Sequence, residues 1–406
     1  MKKNVLKFAT LSMALCASVA CVSCSDDDNG NNNGNDGNSS NVEVMKGNEL
    51  NGITSKDVTL KQGQTYKLTG KLQIKAPGKL TIEPGVKIIS AYTDNISYIL
   101  IEQGAQIHAV GTAQEPIVMT AERKEAGSWG GLHICGKASI NVEGGQGKSE
   151  IGNAVYGGTN DQDNSGKLKY IRMEYTGQSL SSDTESNGIT FYGVGSGTEA
   201  SYLQICDGND DGIEFFGGTV NVDHAIVENC GDDSFDWTEG WRGQGSYWIA
   251  YQAEGADCDC LIEADNNGDN MVASPFSHPV LKNLTLIGNK NTGAKAAGIK
   301  LRAGTHATIE NAVVTGKTND LWVETSETGN FLVNNPNSLK NIGITSSSVL
   351  VKQVEGDATN PYTNELFVNN GNTTGETFTF TNKYVGTFNG KGALDASNLW
   401  TAGWTI

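Results

Sequence analysis

The sequence predicts an all-β chain wound as a right-handed, single-stranded parallel β-helix with a C-terminal β cap, and three observations carry that prediction. Glycine is abundant at 51 residues and proline scarce at 7, and past the first two dozen residues no window repeats apolar side chains at helical spacing. Short apolar runs such as Lys79-Leu-Thr-Ile82, Tyr98-Ile-Leu-Ile101, Pro116-Ile-Val-Met119 and Leu132-His-Ile134 recur roughly every 20 residues between Gly, Asn and Asp. Three segments also align with one another. Each opens on Gly-Ile, at Gly188, Gly212 and Gly298, and soon reaches a Gly-Thr turn, at Gly197, Gly218 and Gly304, before another strand. A repeat of roughly 21 to 24 residues made of several short strands is one coil of a parallel solenoid. A leucine-rich repeat needs a Leu-x-x-Leu-x-Leu ladder and a propeller needs blades of about 40 residues, and the chain has neither.

The chain opens with Lys2, Lys3 and Lys7 around an apolar run from Val5 to Ala20 that is too short to span a bilayer. Residues 1–23 therefore read as a signal peptide. Ser-Val-Ala precedes Cys21 and Cys-Val-Ser precedes Cys24, so either thiol can be the acylated first residue of the mature chain. Cys24 is preferred because a polar run begins directly after it. Ser25-Asp-Asp-Asp-Asn29 leads into Asn and Gly residues up to Asn41 with nothing to bury, so residues 24–45 read as a flexible tether behind the lipidated Cys. This start resembles the lipoproteins of Bacteroidota, in which acidic residues just after the lipidated Cys accompany display on the outer face of the outer membrane. The resemblance implies a lipid-anchored protein of the cell outer membrane, facing the exterior. No second apolar stretch of about 18 residues occurs, so the lipid is the only membrane attachment expected.

Removal of the three signal lysines changes the formal charge from 29 − 46 = −17 to 26 − 46 = −20. Such a balance disfavours nucleic acid and anionic headgroups as partners and favours divalent cations or neutral sugars. Beyond Cys24 stand Cys135, Cys206, Cys230, Cys258 and Cys260, an odd number in a chain long enough to need no disulfide framework. A bridge between Cys258 and Cys260 would be strained, which leaves Cys206 with Cys230 as the better pair. No Cys or His spacing points to zinc, and no feature specifies an oligomer.

The β-helix is expected over residues 46–349, on the order of a dozen coils. The Gly-, Asn- and Asp-rich stretch from Glu143 to Lys167 reads as a loop thrown out of one coil. Residues 350–406 alternate apolar and polar side chains from Tyr362 and end in Leu399-Trp-Thr-Ala-Gly-Trp404; they read as a cap over an otherwise exposed sheet edge. Trp129-Gly-Gly-Leu132, Tyr156-Gly-Gly158, Asp163-Asn-Ser-Gly-Lys-Leu-Lys-Tyr170, Gly212-Ile-Glu-Phe-Phe-Gly-Gly-Thr219, Asp232-Asp-Ser-Phe-Asp-Trp237, Gly240-Trp-Arg-Gly243 and Ile262-Glu-Ala-Asp-Asn266 resemble the motifs of a large set of bacterial β-helix lipoproteins. Those proteins mostly lack a defined function, so the resemblance implies the fold and little about activity.

The clearest chemistry lies in an acidic cluster on neighbouring coils. Asp207, Asp210 and Asp211 precede Asp232, Asp233 and Asp236, with Asp210-Asp211 and Asp232-Asp233 offset by 22 residues. The same offset aligns Glu214 with Asp236 and Phe215 with Trp237, and Cys206 and Cys230, 24 apart, fall at nearly equal positions. Carboxylates stacked this way raise one another's pKa or recruit a cation, and oxygen-only sets suit calcium. The metal set expected is Asp210, Asp211, Asp232, Asp233 and Asp236, with Ca2+ the one cofactor considered. The alternatives are paired carboxylates for acid and base work on a glycan, or Asp and Asn that only satisfy tight turns. Polygalacturonase-type β-helix hydrolases combine stacked Asp residues with Gly-His-Gly and Arg-Ile-Lys. This chain has Ile299-Lys300-Leu301-Arg302, a reversed echo of the basic part, and no Gly-His-Gly. Its five histidines, His108, His133, His224, His278 and His306, read as surface or wall residues.

Phe235, Trp237, Trp241, Tyr247, Trp248 and Tyr251 place six aromatics within 17 residues of a chain that is 7% aromatic. Flat rings bordered by carboxylates and Arg bind sugars, so Trp237, Glu239, Trp241, Arg242, Tyr247 and Trp248 form the expected ligand platform; aromatic packing in the core is the competing use of the same residues. Asp161-Gln-Asp-Asn-Ser-Gly166 starts like a calcium loop, but Arg172 stands where a bidentate Glu is required, which excludes an EF-hand. Gly193-Val-Gly-Ser-Gly197 lies between strands and is a turn rather than a phosphate loop. The preferred function is a surface-exposed outer-membrane lipoprotein whose β-helix presents a non-catalytic binding face for a glycan, a cation or a surface protein. The alternative is a polysaccharide lyase or glycoside hydrolase with Asp211, Asp233, Asp236, Lys300 and Arg302 as its catalytic set.

Overall fold

The computed structural model describes residues 43–93, 95–179, 186–290, 292, 297–354, 356–394 and 399–406, so the expected signal peptide, the expected lipidation at Cys24 and the expected tether as far as residue 42 lie outside the described residues. Apart from a short antiparallel contact of Met45–Lys46 with Glu49–Leu50, every pairing in the 24-stranded sheet is parallel, which makes the chain a right-handed parallel β-helix. A single column runs through eleven coils. Ile53, Gln73, Leu100, His133, Thr190, Glu214, Asp236, Glu263, Lys300, Trp322 and Leu350 are successive Cα partners. Strand side chains alternate between faces, so residues on either side of this column point inward. Leu132 and Ile134, Ile189 and Phe191, Ile213 and Phe215, Phe235 and Trp237, and Ile299 and Leu301 are all fully buried. They form one continuous core with the inward residues of the other faces.

A second series of strands, Gly166–Glu174, Glu199–Cys206, Asn221–Glu228, Gln244–Tyr251, Val280–Ile287, Thr308–Thr315 and Leu339–Ile344, turns a corner within each strand. The pairing register skips one residue there, and that residue is left-handed: Tyr170, Tyr202, His224, Tyr247, Asn283, Asn311 and Asn341 have φ between 51° and 62°. One coil earlier the same corner is a longer connection, because Gly166–Glu174 pairs with Gln106–Val110 before Tyr170 and with Ile117–Ala121 after it. Asn tolerates this conformation by its short polar side chain, and Asn341 donates to Asn311, which donates to Asn283. The bulkier members are held by stacking, with centroids 4.4 Å apart for Tyr170 and Tyr202, 4.5 Å for Tyr202 and His224 and 4.7 Å for His224 and Tyr247.

Cys206 and Cys230, the better pair by sequence, are not bridged, and no disulfide joins the five described cysteines, all of them buried. The coil-to-coil register here is 22 residues, so Cys206 faces Glu228 and Cys230 lies two residues beyond it. The C-terminal region is more than a β cap. Helix α2, Asn364–Asn369, buries Phe367 against the last coil, and Asn372 bonds the backbone of Leu339 and Ile342. The chain then turns back as a strap along the flank. Ala393 N–H donates to Thr285 Oγ1 at 2.9 Å, Ile406 N–H donates to Gln204 Oε1 at 3.2 Å, and Trp404 meets Tyr170 and Tyr202 edge-on. The strap covers Ile226 and Ile249, which face outward and are fully buried beneath it. Between Glu143 and Lys167 the expected loop is present and carries a small hairpin, Gly147–Lys148 with Val155–Tyr156. No helix among the described residues is long and apolar enough to cross a membrane.

Candidate functional site

The outward column changes character midway along the axis. Its early members are apolar or neutral, Leu100, His133 and Thr190, and here Ile151 and Tyr156 of the 143–167 insertion form one buried cluster with Tyr98, Leu100, Ile140 and Tyr192. The next three are Glu214, Asp236 and Glu263, and the fourth is Lys300. Two residues before each inward strand residue the chain adds Asp211 and Asp233, at the corner of the same coils. Asp233 N–H donates to Asp211 Oδ1 at 2.9 Å, and Cys260 N–H donates to Asp233 Oδ1 at 2.6 Å, so each corner carboxylate bonds the backbone of the next coil.

These acids form overlapping groups whose oxygens lie within 4.8 Å of one another: Asp211, Glu214 and Asp236; Asp233, Asp236 and Glu263; Asp210, Asp211 and Asp232. The five residues of the expected metal set are thus spread over three overlapping groups, with Asp211 and Asp236 each in two. Asp207 is elsewhere, at a left-handed corner where it accepts from Asn229. Burial, followed by the neighbouring carboxylates, pushes the pKa of Asp211, Glu214, Asp233 and Asp236 well above the usual carboxylate range. The donors are all oxygen in these three groups, and a hard divalent cation such as calcium fits them.

The basic pair closes the ladder at its other end. Lys300 Nζ lies 2.7 Å from Glu263 Oε1, Arg302 Nη1 lies 2.8 Å from Glu263 Oε2, and Arg302 grips Asp265 through Nε at 2.7 Å and Nη2 at 3.1 Å. Burial opposes the charge on Lys300, but Glu263 outweighs it and its pKa is raised. The residues named as a catalytic set thus share one face, with both cations already paired. Glu263 and Asp265 were missed because they follow Asp236 at a longer spacing than 22; the Ile262-Glu-Ala-Asp-Asn266 motif contained them.

The aromatic platform is corrected. Phe235 and Trp237 alternate with Asp236 and so point to the opposite face, into the core. Trp241 and Trp248 are equally buried, stacked with Phe215 and Phe235 at 4.0 and 4.4 Å, and their indole N–H groups donate to Val220 and Val222 carbonyls. Trp237 donates to Thr305 Oγ1. Tyr247 stacks on His224 at the strap corner. Arg242 pairs with Asp161 at 2.7 Å and donates to the Ser139 carbonyl, so it anchors the insertion. Glu239 accepts from Tyr156 Oη at 3.0 Å beside the insertion; burial and Glu150 push its pKa up to about 7 against the effect of that hydrogen bond. Asn141 ties the insertion to the loop after Asp265 by bonding Asn266, Asn267 and the Pro275 carbonyl.

The family described as the pectate-lyase-like β-helix domain matches residues 52–405. The chain belongs to this family. The match spans nearly all of the described solenoid and its strap. No curated protein and no solved structure matches the chain.

Proposed function

We propose that this member of the pectate-lyase-like β-helix family is an outer-membrane lipoprotein, anchored through Cys24 and displayed at the cell surface, which binds glycan without cleaving it. In this reading a divalent cation, calcium, sits among Asp211, Glu214, Asp233, Asp236 and Glu263 and bridges the ladder to sugar oxygens. The observation that carries it is the in-register run Glu214, Asp236, Glu263 on three successive coils, flanked by Asp211 and Asp233. Support for binding over cleavage comes from the partners these groups already have. Lys300 and Arg302 are held by Glu263 and Asp265, and Asp211 and Asp233 each engage a backbone N–H. The test is calorimetry of the purified protein against CaCl2 and then against a polysaccharide panel, with and without EDTA, while products are monitored by chromatography. Calcium uptake and EDTA-sensitive retention of at least one glycan, without products, is the expected result; a panel in which no glycan binds more tightly with calcium than with EDTA sinks it. Mass analysis of the mature N-terminus tests acylation at Cys24 against Cys21.

One feature favours cleavage as a second reading: Glu239, near half-protonated at neutral pH beside Tyr156, has the poise of a general acid. Oligosaccharide products that vanish in both Glu239→Gln and Asp236→Asn would establish it.

A further inference from the structure

On the far side of the turn that follows Arg302, three rings from successive windings stack in a column. His306 lies 4.0 Å from Phe276 and 4.2 Å from Phe331, with interplanar angles of 13° and 9°, and His278 meets both His306 and Phe331 edge-on. Phe331 is carried by helix α1, Ser326–Asn334, which replaces part of a coil. Phe331 and His278 line a cavity of about 440 Å³ whose other walls include Thr308, Asn334, Asn337 and Ser338. That volume falls within the ordinary range for small-ligand sites, roughly 300 to 1,000 Å³.

Among the described residues the lining holds no Asp, Glu, Lys or Arg. It offers an aromatic surface, side-chain amides and hydroxyls, which together donate and accept hydrogen bonds without a formal charge. We propose that this cavity binds a neutral pyranose unit of a glycan, separately from the carboxylate ladder. A pyranose has an apolar C–H face suited to the Phe331 and His278 rings and a rim of hydroxyls suited to the Asn, Ser and Thr groups. A uronate or a bare cation has no countercharge here. Burial keeps His278 and His306 below the ordinary histidine pKa, the latter at about 4, so both rings are neutral at physiological pH.

The test titrates the purified protein, in EDTA, with xylohexaose, mannohexaose, cellohexaose, maltohexaose and, as the charged counterpart, hexagalacturonate. At least one neutral hexasaccharide is expected to bind. Phe331→Ala should weaken it tenfold or more, Phe331→Tyr should restore it, and Asp236→Asn should leave it unchanged. Because Phe331 also touches the core, Asn337→Ala on the exposed rim provides an independent probe, expected to weaken binding several-fold with an unchanged melting temperature. Failure of all four neutral sugars to bind, or binding unchanged by both Phe331→Ala and Asn337→Ala, overturns the proposal. Binding abolished by Asp236→Asn but not by Phe331→Ala also overturns it and moves the sugar to the ladder, whose calcium dependence is read separately.

Discussion

A Cβ at Gly212 would lie 2.3 Å from Val227 Cγ1 and 2.6 Å from the Ser234 carbonyl of the next coil, and Gly188 and Gly298 meet the carbonyls of Gly212 and Asp320 at 2.4 and 2.3 Å. The repeated Gly-Ile is thus a packing requirement at a tight corner, where the following Ile fills the core. Gly212→Ala is expected to lower stability by about 1–3 kcal/mol, read as an earlier urea midpoint with an unchanged slope. His133 is a second residue whose cost can be measured. Its Nε2 lies 2.5 Å from the Gly130 carbonyl, and burial pushes its pKa from 6.5 to about 4, against that contact. The folded pKa lies below the unfolded one, so the stability associated with the neutral ring is whole above pH 6.5 and is lost as pH falls toward 4, by up to about 3 kcal/mol. The buried ladder carboxylates have the opposite sign: their raised folded pKa values favour the fold at low pH and weaken it as pH rises. Comparing wild type with His133→Gln separates the two. Wild type should lose stability relative to the variant between pH 6.5 and 4, and a flat difference would refute the assignment.

At the scale of elements, the coil was legible and the orientation of its aromatics was not. Offset doublets such as Asp210-Asp211 and Asp232-Asp233 recorded the 22-residue register directly, and Asp233 N–H does bond Asp211. Parallel strands buried on both faces show weak alternation, so the cluster from Phe235 to Tyr251 suggested a surface although Asp236 and Trp237 must point in opposite directions. Cys206 and Cys230, the better pair by sequence, stay unbridged for a related reason, since 24 residues is two past the local register. The strap left no repeat to detect: Trp400 and Trp404 find Tyr170, Tyr202 and His224 only because those residues occupy left-handed corners that Asn holds in later coils. Trp404 is almost fully buried. Trp404→Ala should cost about 3–5 kcal/mol of strap docking and expose Ile226 and Ile249, seen as faster amide exchange in Asn221–Glu228 and Gln244–Tyr251 while Ile262–Ala264 is unaffected. Equal acceleration in all three strands would mean that the strap is part of the global fold.

Across the whole molecule, a chain of formal charge −17 concentrates carboxylates on one face of a rigid scaffold, where Asp236 shares its surroundings with Asp211, Glu214, Asp233 and Glu263. Uniform mutual repulsion is expensive when the groups are buried, because neither water nor salt screens them fully. If these residues only satisfy turns, replacing Asp236 by its isostere should be neutral or destabilising. If they hold a cation, the empty ladder is strained and Asp236→Asn should stabilise the protein in EDTA at pH 7.5, by about 1–2 kcal/mol from removal of one like charge. Calcium at 100 times its dissociation constant should stabilise wild type by about 3 kcal/mol through linkage, and should do little for the variant. The two melting curves are then expected to cross over: the variant melts higher in EDTA and wild type melts higher in calcium. Such an exchange of order is the signature of a binding face kept at the expense of stability. A variant that melts lower under both conditions assigns the ladder to the architecture of the coil.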